Sequence, residues 1–208
     1  MTNPVKITIL LFLTVIGLNA HEHWLYTDAP VYSPGDSIQV HLRSGHLGGA
    51  SEFLINSQLI QVASLVDPDG HETPLNMQPV NNEHTCSFLP QRFGEYTILV
   101  KLRKRNKGPY SYLLKTLVQV GSIANTTAYT PNQELEILPG GPPNTLRVMT
   151  AGEPVKVPIS LTSEGGVGRS LSMDRHGVSS ISPNHQGFSI AICHFRRQTA
   201  SYSFYLGD

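Results

Sequence analysis

Several features are scarce or missing in this sequence of 208 residues, and each absence excludes a class of protein. Charged residues make up 14% of the chain, 15 basic against 15 acidic, so no basic field favours a nucleic acid partner. No HExxH, glycine-rich phosphate loop, GxSxG or CxxC motif occurs, so we predict no catalytic residues and no enzymatic activity. Beyond the first twenty residues no long apolar run follows, which predicts a mature chain without a membrane span.

The first twenty residues have the pattern of a secretory signal peptide. Lys6 supplies a positive charge, Ile7 to Leu18 is almost entirely apolar, and Asn19-Ala20 places a small residue before the expected cleavage site. Cleavage after Ala20 would make His21 the first residue of the mature protein. We therefore predict export across the inner membrane and a periplasmic location.

The mature sequence is dominated by short alternating runs of apolar and polar residues, which are typical of half-buried antiparallel strands. With 18 glycines and 15 prolines, most regular elements must be short. The predicted strands are Ser37–Leu42, Gln61–Val66, Thr85–Leu89, Glu95–Lys101 and Tyr112–Val120, then Glu134–Leu138, Thr145–Val148, Pro154–Leu161, Ser170–Met173, Val178–Ile181, Gly187–Phe195 and Ser201–Leu206. A helix is conceivable only over Ser51–Leu59.

A polar stretch without periodicity separates the two groups of strands and indicates a linker. The predicted organisation is a signal peptide over 1–20, a β-sandwich over 21–122, a linker over 123–133 and a second β-sandwich over 134–208. The fold class is therefore all-β. Cys86 and Cys193 fall in apolar runs of different predicted domains, so two buried thiols and an inter-domain disulfide are comparable alternatives.

Nine histidines beside a single tryptophan are the most distinctive chemistry of the chain. Once exposed at the N-terminus, His21 could chelate an ion through its α-amine and its imidazole, and another imidazole would complete a three-nitrogen site. Alternatively, His23 as third residue could bind together with the amine and two backbone amides. Both arrangements are nitrogen-rich and tetragonal, which suits Cu(II) or Ni(II). Trp24 is expected to pack the N-terminal strand against the core.

The other histidines differ in their local context. His46 lies where a strand runs into a glycine-rich loop, a position suited to presenting a side chain. His194 lies in an apolar strand and, by itself, is more typical of a sheet histidine. His41 is expected to face solvent, and Asp67 and Asp69 are explained by a turn. The remaining histidines fall in or beside turns and are expected at the surface: His71, His84, His176 and His185.

Short motifs in a specific order give the chain a resemblance to a known family. The motifs are Ala20-His21-Glu22-His23-Trp24-Leu25, Pro34-Gly35-Asp36, Val40–His46, Ser64–Gly70, Gly94-Glu95-Tyr96, Leu114–Gly121, Asp174-Arg175-His176-Gly177 and Gly187-Phe188, followed by the strand with His194. In this order they resemble a bacterial periplasmic family labelled nickel uptake transporter family protein, or periplasmic component of a cobalt/nickel transport system. The C-terminal motifs look like that family's transthyretin-like or Ig-like domain.

The resemblance implies a metal site and a partner. It implies metal binding by His21, His46 and His194. His23 stands where the family more often has an aromatic residue, so it is either an additional donor or a neutral replacement. The implied cargo is Ni(II) foremost, with Co(II) or Cu(II) as alternatives, passed to an inner-membrane transporter. Two other functions stay open: an adhesive or carbohydrate- or protein-binding β-sandwich without metal, and a copper redox enzyme with an N-terminal histidine.

Overall fold

A computed structural model describes residues 22–46, 49–103, 111–121, 134–163, 168–182 and 184–206. Within these ranges the chain forms strands and a single turn of 3-10 helix, with no α-helix. The predicted all-β fold class is confirmed, and the sheets stack as sandwich-like layers. The predicted signal peptide, His21 and the predicted linker over 123–133 lie outside the described residues.

The strands fall into two sequential groups. The first contains β1 (Glu22–Thr27), β2 (Val31–Tyr32), β3 (Ile38–Gly45), β4 (Ile60–Val66), β5 (Glu72–Pro74), β6 (Gln78–Val80), β7 (Glu83–Phe88), β8 (Gly94–Arg103) and β9 (Ser111–Val120). The second contains β10 (Glu136–Pro139), β11 (Thr145–Thr150), β12 (Glu153–Pro154), β13 (Ser160–Ser163), β14 (Arg169–Ser170), β15 (Val178–Ser180), β16 (Gly187–Phe195) and β17 (Gln198–Leu206). The 3-10 turn spans Ser57–Leu59.

The first group folds as two layers around its own apolar core. One layer has the order β1-β3-β7-β6, and the other contains β9-β8-β4-β5, with β2 beside β9. Side chains at alternate positions point to the same face of a strand, so Leu25 of β1 and Leu114 and Val118 of β9 reach this core. Leu25 and Leu114 are fully buried there.

The second group also encloses a separate core. The sheet β10-β11-β12, with β15 beside β11, covers the strands β14-β13-β16-β17. Ala191 and Cys193 of β16 face this core together with Tyr202 of β17. The intervening residues Ile190 and Ile192 face the other way, so β16 is buried on both sides. This explains why its sequence is almost continuously apolar.

A parallel pair of strands joins the two groups into one sheet. Strand β17 pairs with β9 from Gln198 opposite Ser111 to Ser203 opposite Thr116. Thr116 Oγ1 also donates to the carbonyl of Ser203 at 2.9 Å, a buried hydrogen bond. The result is one nine-stranded sheet that runs through both sandwiches, a continuity that the sequence patterns did not predict.

The helix considered for Ser51–Leu59 forms only as the 3-10 turn. Asn56 accepts the N–H of Gln58 through Oδ1 at 3.0 Å, an Asx-type contact that begins the turn. The strand predicted over Pro154–Leu161 divides into the end of β12 and the start of β13, because a strand containing two prolines cannot form a regular ladder. The last strand, β17, is nine residues long and mostly buried.

Candidate metal centre and the neighbouring cleft

Strand β1 begins beside the end of β3, where two of the predicted metal ligands lie. Glu22 is opposite Gly45 and His23 is opposite Ser44 in the antiparallel register. His46 follows β3 directly. The sheet thus brings Glu22 and His23 beside the Gly-His motif, and His46 lies at a strand-to-loop junction, as the sequence predicted.

His23 points toward the first sandwich, on the same face of β1 as Leu25. Its Nδ1 lies 2.5 Å from Ser44 Oγ, and Ser44 is fully buried. The imidazole packs edge-on against Tyr112, with ring centroids 5.0 Å apart. The side chain is therefore held in one orientation at the wall of a cleft.

Glu22 points to the opposite face of β1 and meets His194. Glu22 Oε1 lies 3.5 Å from His194 Nε2, and the Glu22 side chain is 15% exposed. Burial raises the pKa of Glu22 to about 7 and lowers the pKa of His194. His194 Nδ1 lies 2.9 Å from Thr199 Oγ1 on β17. His194 is thus a sheet histidine, as its strand pattern predicted, and it faces the start of β1.

His46 is paired with Glu52, which sequence reasoning did not single out. His46 Nδ1 is 2.5 Å from Glu52 Oε1, and the His46 backbone N–H donates to the same oxygen at 3.0 Å. Glu52 lies against Gly45, whose φ is +145°. A Cβ there would approach Glu52 Cγ to 2.7 Å, so the glycine gives the carboxylate room to reach His46.

The described candidates therefore surround the start of β1 without meeting at a point. His23 lies on one face of the sheet, His194 on the other, and His46 on the loop beyond β3. Within the described ranges only Asp67, Asp69 and His71 form a group of three ligand-type side chains whose atoms lie within 4.8 Å of one another. The trio His23, His46 and His194 does not form such a group.

The Asp67–His71 group is accounted for by its turn. Asp67 Oδ1 accepts the backbone N–H groups of Asp69 and His71 at 3.0 and 2.8 Å. Arg92 forms an ion pair with Asp69. These contacts use the carboxylates to close the turn, which is the role that the sequence predicted for them.

Two other histidines differ from expectation. His41 is only 17% exposed, and its Nδ1 contacts Glu83 Oε1 at 2.8 Å. His84 was expected at the surface but is fully buried, with Nε2 2.7 Å from the Ile55 carbonyl. Its neighbours in sequence form a turn, yet His84 itself lies in β7 with its side chain directed inward. The turn beside His84 therefore did not indicate that its side chain is exposed.

Both cysteines are free thiols. Cys86 packs against the first core and Cys193 lies within the second. Burial raises the pKa of Cys86 to about 11 and that of Cys193 to about 12. Thiols with such pKa values carry little thiolate at neutral pH and are poor metal ligands.

Solved structures similar to this chain match it at low identity. The D0-D1 domain of intimin is 12% identical, covering 88% of this chain and 97% of that one, with a TM-score of 0.27. The Escherichia coli adhesin FdeC is 11% identical, covering 89% and 64%, with a TM-score of 0.28. Salmonella α-2-macroglobulin reacted with methylamine is 12% identical with a TM-score of 0.34; 89% of this chain is covered, but only 14% of that protein.

No protein-family model and no curated protein matches the chain. Among the described residues, no helix is long and apolar enough to cross a membrane.

Proposed function

We propose that this protein binds a divalent transition metal ion in the periplasm, Ni(II) foremost and Co(II) or Cu(II) as alternatives, and assists its uptake through an inner-membrane transporter. One observation carries the proposal: His46 and His194, each in contact with a carboxylate, flank the first strand of the predicted mature chain. Cleavage after Ala20 would put a free α-amine one residue before Glu22, and consecutive Cα atoms are about 3.8 Å apart.

The hydrogen bonds of the imidazoles are suited to metal binding. In His23, His46 and His194 alike, Nδ1 contacts a side-chain oxygen, supplied by Ser44, Glu52 and Thr199 respectively. An imidazole held at one nitrogen presents the other to an ion in a fixed orientation, and a carboxylate partner increases its basicity. Nε2 is therefore the nitrogen through which His23 and His46 would bind, whereas His194 Nε2 already lies 3.5 Å from Glu22 Oε1, so that imidazole and that carboxylate would bind the ion together.

The donor set also favours particular ions. An α-amine and imidazoles are nitrogen ligands, whereas Glu22 and Glu52 offer oxygen. Such mixed nitrogen and oxygen sites suit Ni(II), Co(II) and Cu(II), and neither free thiol is among these donors. Because the ligands lie apart, the ion itself would draw them together, and we assign the protein binding and transfer of the ion without turnover.

The test is a metal titration of the exported, processed protein, followed by native mass spectrometry and calorimetry. We expect a chain that begins at His21 and binds one Ni(II) or Cu(II). One extra glycine before His21 should abolish tight binding, because the chelate needs the histidine's own amine. His46→Ala and His194→Ala should each weaken binding about 10- to 100-fold.

His71→Ala is the matched control, since it removes the imidazole of the one compact three-ligand group found among the described residues, which lies outside this site. Its affinity should equal that of the parent protein. Unchanged affinity after the added glycine would overturn the proposed amine ligand. A protein that stays metal-free would instead favour the adhesive or carbohydrate- or protein-binding alternative, and peroxide-driven turnover of the copper form would favour the redox enzyme.

A further inference from the structure

A cleft of about 610 Å³ opens at the end of the first sandwich. It lies between the start of β1, the segment around the 3-10 turn, and the ends of β8 and β9. Its described walls include Phe53, Leu54, Leu59, Leu102 and Tyr112. Its volume is within the range of small-molecule sites, which are typically 300–1,000 Å³ and mostly apolar.

Two apolar side chains that line the cleft are exposed. Phe53 and Leu54 are adjacent in sequence and are 36% and 41% exposed. The His23 ring, fixed through Ser44, forms aromatic edge contacts with Tyr112 at 5.0 Å and with Phe53 at 6.4 Å. Aromatic edges and exposed aliphatic groups around one cleft are suited to binding a ligand whose apolar part is an aromatic ring or an aliphatic chain.

Arg103 is the one charged side chain among the described lining residues of the cleft. Lys101, two residues earlier on β8, is paired with Glu134. Arg103 at the end of β8 is therefore the described cation at this site, and a guanidinium attracts anions.

We propose that this cleft binds a small amphiphilic anion, with its apolar body against Phe53, Leu54 and Tyr112 and its carboxylate, sulfonate or phosphate group on Arg103. A guanidinium binds such oxyanions through charge-assisted hydrogen bonds. The cleft shares His23 with the proposed metal site, but Arg103 and Leu54 are not among the proposed metal ligands, so variants at these two positions test the cleft alone. This binding mode gives His23 a role as an oriented wall of the cleft.

A pair of fluorescent probes that differ in charge tests the proposal. Anilinonaphthalene sulfonate supplies an aromatic body with an anionic group, and N-phenyl-1-naphthylamine supplies a similar body without charge. We expect the sulfonate to bind one-to-one and to be displaced by octanoate but not by octanol. Arg103→Gln should weaken sulfonate binding about tenfold and leave the uncharged probe unaffected. Leu54→Ser should weaken binding of both probes.

Arg175→Gln is the matched control, because it removes an exposed arginine far along the sequence from the cleft. Circular dichroism of each variant should overlay that of the parent protein. Absence of saturable sulfonate binding would overturn the proposal. If Arg103→Gln affects both probes equally, or neither of them, Arg103 is not the anion site. If octanol displaces the sulfonate as well as octanoate does, the cleft does not recognise charge.

Discussion

Two of the contacts between the halves of the molecule have opposite chemical character. At one, Trp24 of β1 packs fully buried against Phe188, Ile190 and Ile192 of β16. At the other, Lys115 of β9 and Glu136 of β10 are 3% and 1% exposed, with Nζ and Oε2 3.8 Å apart. The first contact is stabilised by removing apolar surface from water, whereas the second includes two charges that had to lose their hydration.

The difference shows that one interface can combine an apolar contact, which stabilises the association of the two halves, with an ion pair, which determines their relative position. Apolar surfaces tolerate small shifts, while a buried ion pair is favourable only in a narrow geometry. Lys115 Nζ also lies 5.1 Å from the ring centroid of Tyr202, which covers the pair. We interpret the ion pair as fixing how β10 lies on the shared sheet. Substitutions in each contact, and a change of pH, separate their contributions to stability.

Removal of the indole should have the largest effect. Trp24→Ala is expected to lower the free energy of unfolding by about 3–5 kcal/mol, because it opens a cavity between β1 and β16. Urea denaturation measures the loss. Val31→Ala is the control, since Val31 is 55% exposed and should change stability by less than about 0.5 kcal/mol. A loss below about 1 kcal/mol for Trp24→Ala would show that the apolar contact does not hold the halves together.

Breaking the ion pair on one side should be nearly as damaging. Lys115→Met is expected to cost about 3 kcal/mol or somewhat more, since it leaves the Glu136 carboxylate buried beside an apolar side chain. The double variant Lys115→Met with Glu136→Leu should recover most of that stability. If the single and double variants are equally unstable, the pair is not energetically coupled, and the distinction between the two contacts fails.

The same pair should make stability depend on pH in the alkaline range. Burial lowers the pKa of Lys115 from 10.5 to about 8, partly offset by the charges of Glu136 and Glu95. Between about pH 8 and 10.5 the unfolded chain therefore keeps a proton that the folded protein has lost, so the contribution of Lys115 to stability should rise with pH by at most about 3 kcal/mol. The raised pKa values of Cys86 and Cys193 act in the opposite direction, so the effect is measured as a difference between two proteins that share both thiols. The free energy of unfolding of the parent protein minus that of the double variant, from urea denaturation, should increase between pH 7.5 and 10.

The smallest expected effect concerns a hydrogen bond at the edge of the apolar contact. Tyr205 donates its hydroxyl to the Thr27 carbonyl at 2.6 Å, which links β17 to β1. Tyr205→Phe should cost about 1 kcal/mol, measured by thermal unfolding. Tyr32→Phe is a suitable comparison, because the Tyr32 hydroxyl accepts from Ala29 within the same half. A larger loss for Tyr32→Phe would mean that bonds between the halves are no more important than local ones.

Local patterns predicted most strands but not how the halves join. The alternation of apolar and polar residues located strands such as β8 and β9, because one face of each strand packs against a core. Turn residues marked where these strands begin and end. The short strands β5 and β6 are exposed and contain proline, so they carry no apolar period. The parallel pairing of β9 with β17 joins residues 87 positions apart, from Ser111 to Gln198, and leaves no local signal.

The candidate site was also predicted only in part, because some of its contacts join residues that are distant in sequence. The strand-to-glycine transition correctly placed His46 at the end of a strand, and the apolar run correctly placed His194 within a strand, but neither pattern predicted that both lie beside the start of β1. Neither Glu52 nor the burial of Glu22 could be predicted, because each depends on a partner distant in sequence. One local signal existed for Glu22: it shares a strand face with Trp24, which the sequence already assigned to packing.

The shared sheet also has a consequence for the order of events during biosynthesis. Strand β9 leaves the ribosome 87 residues before the β17 segment that pairs with it. At 5–20 residues per second, that interval is roughly 4–17 s. Throughout it, the stretch of β9 that pairs with β17, from Ser111 to Thr116, has no native partner along that border, and an unpaired border can recruit strands from other chains. We therefore expect the nascent chain to be most prone to pairing with other chains before the C-terminal hairpin arrives.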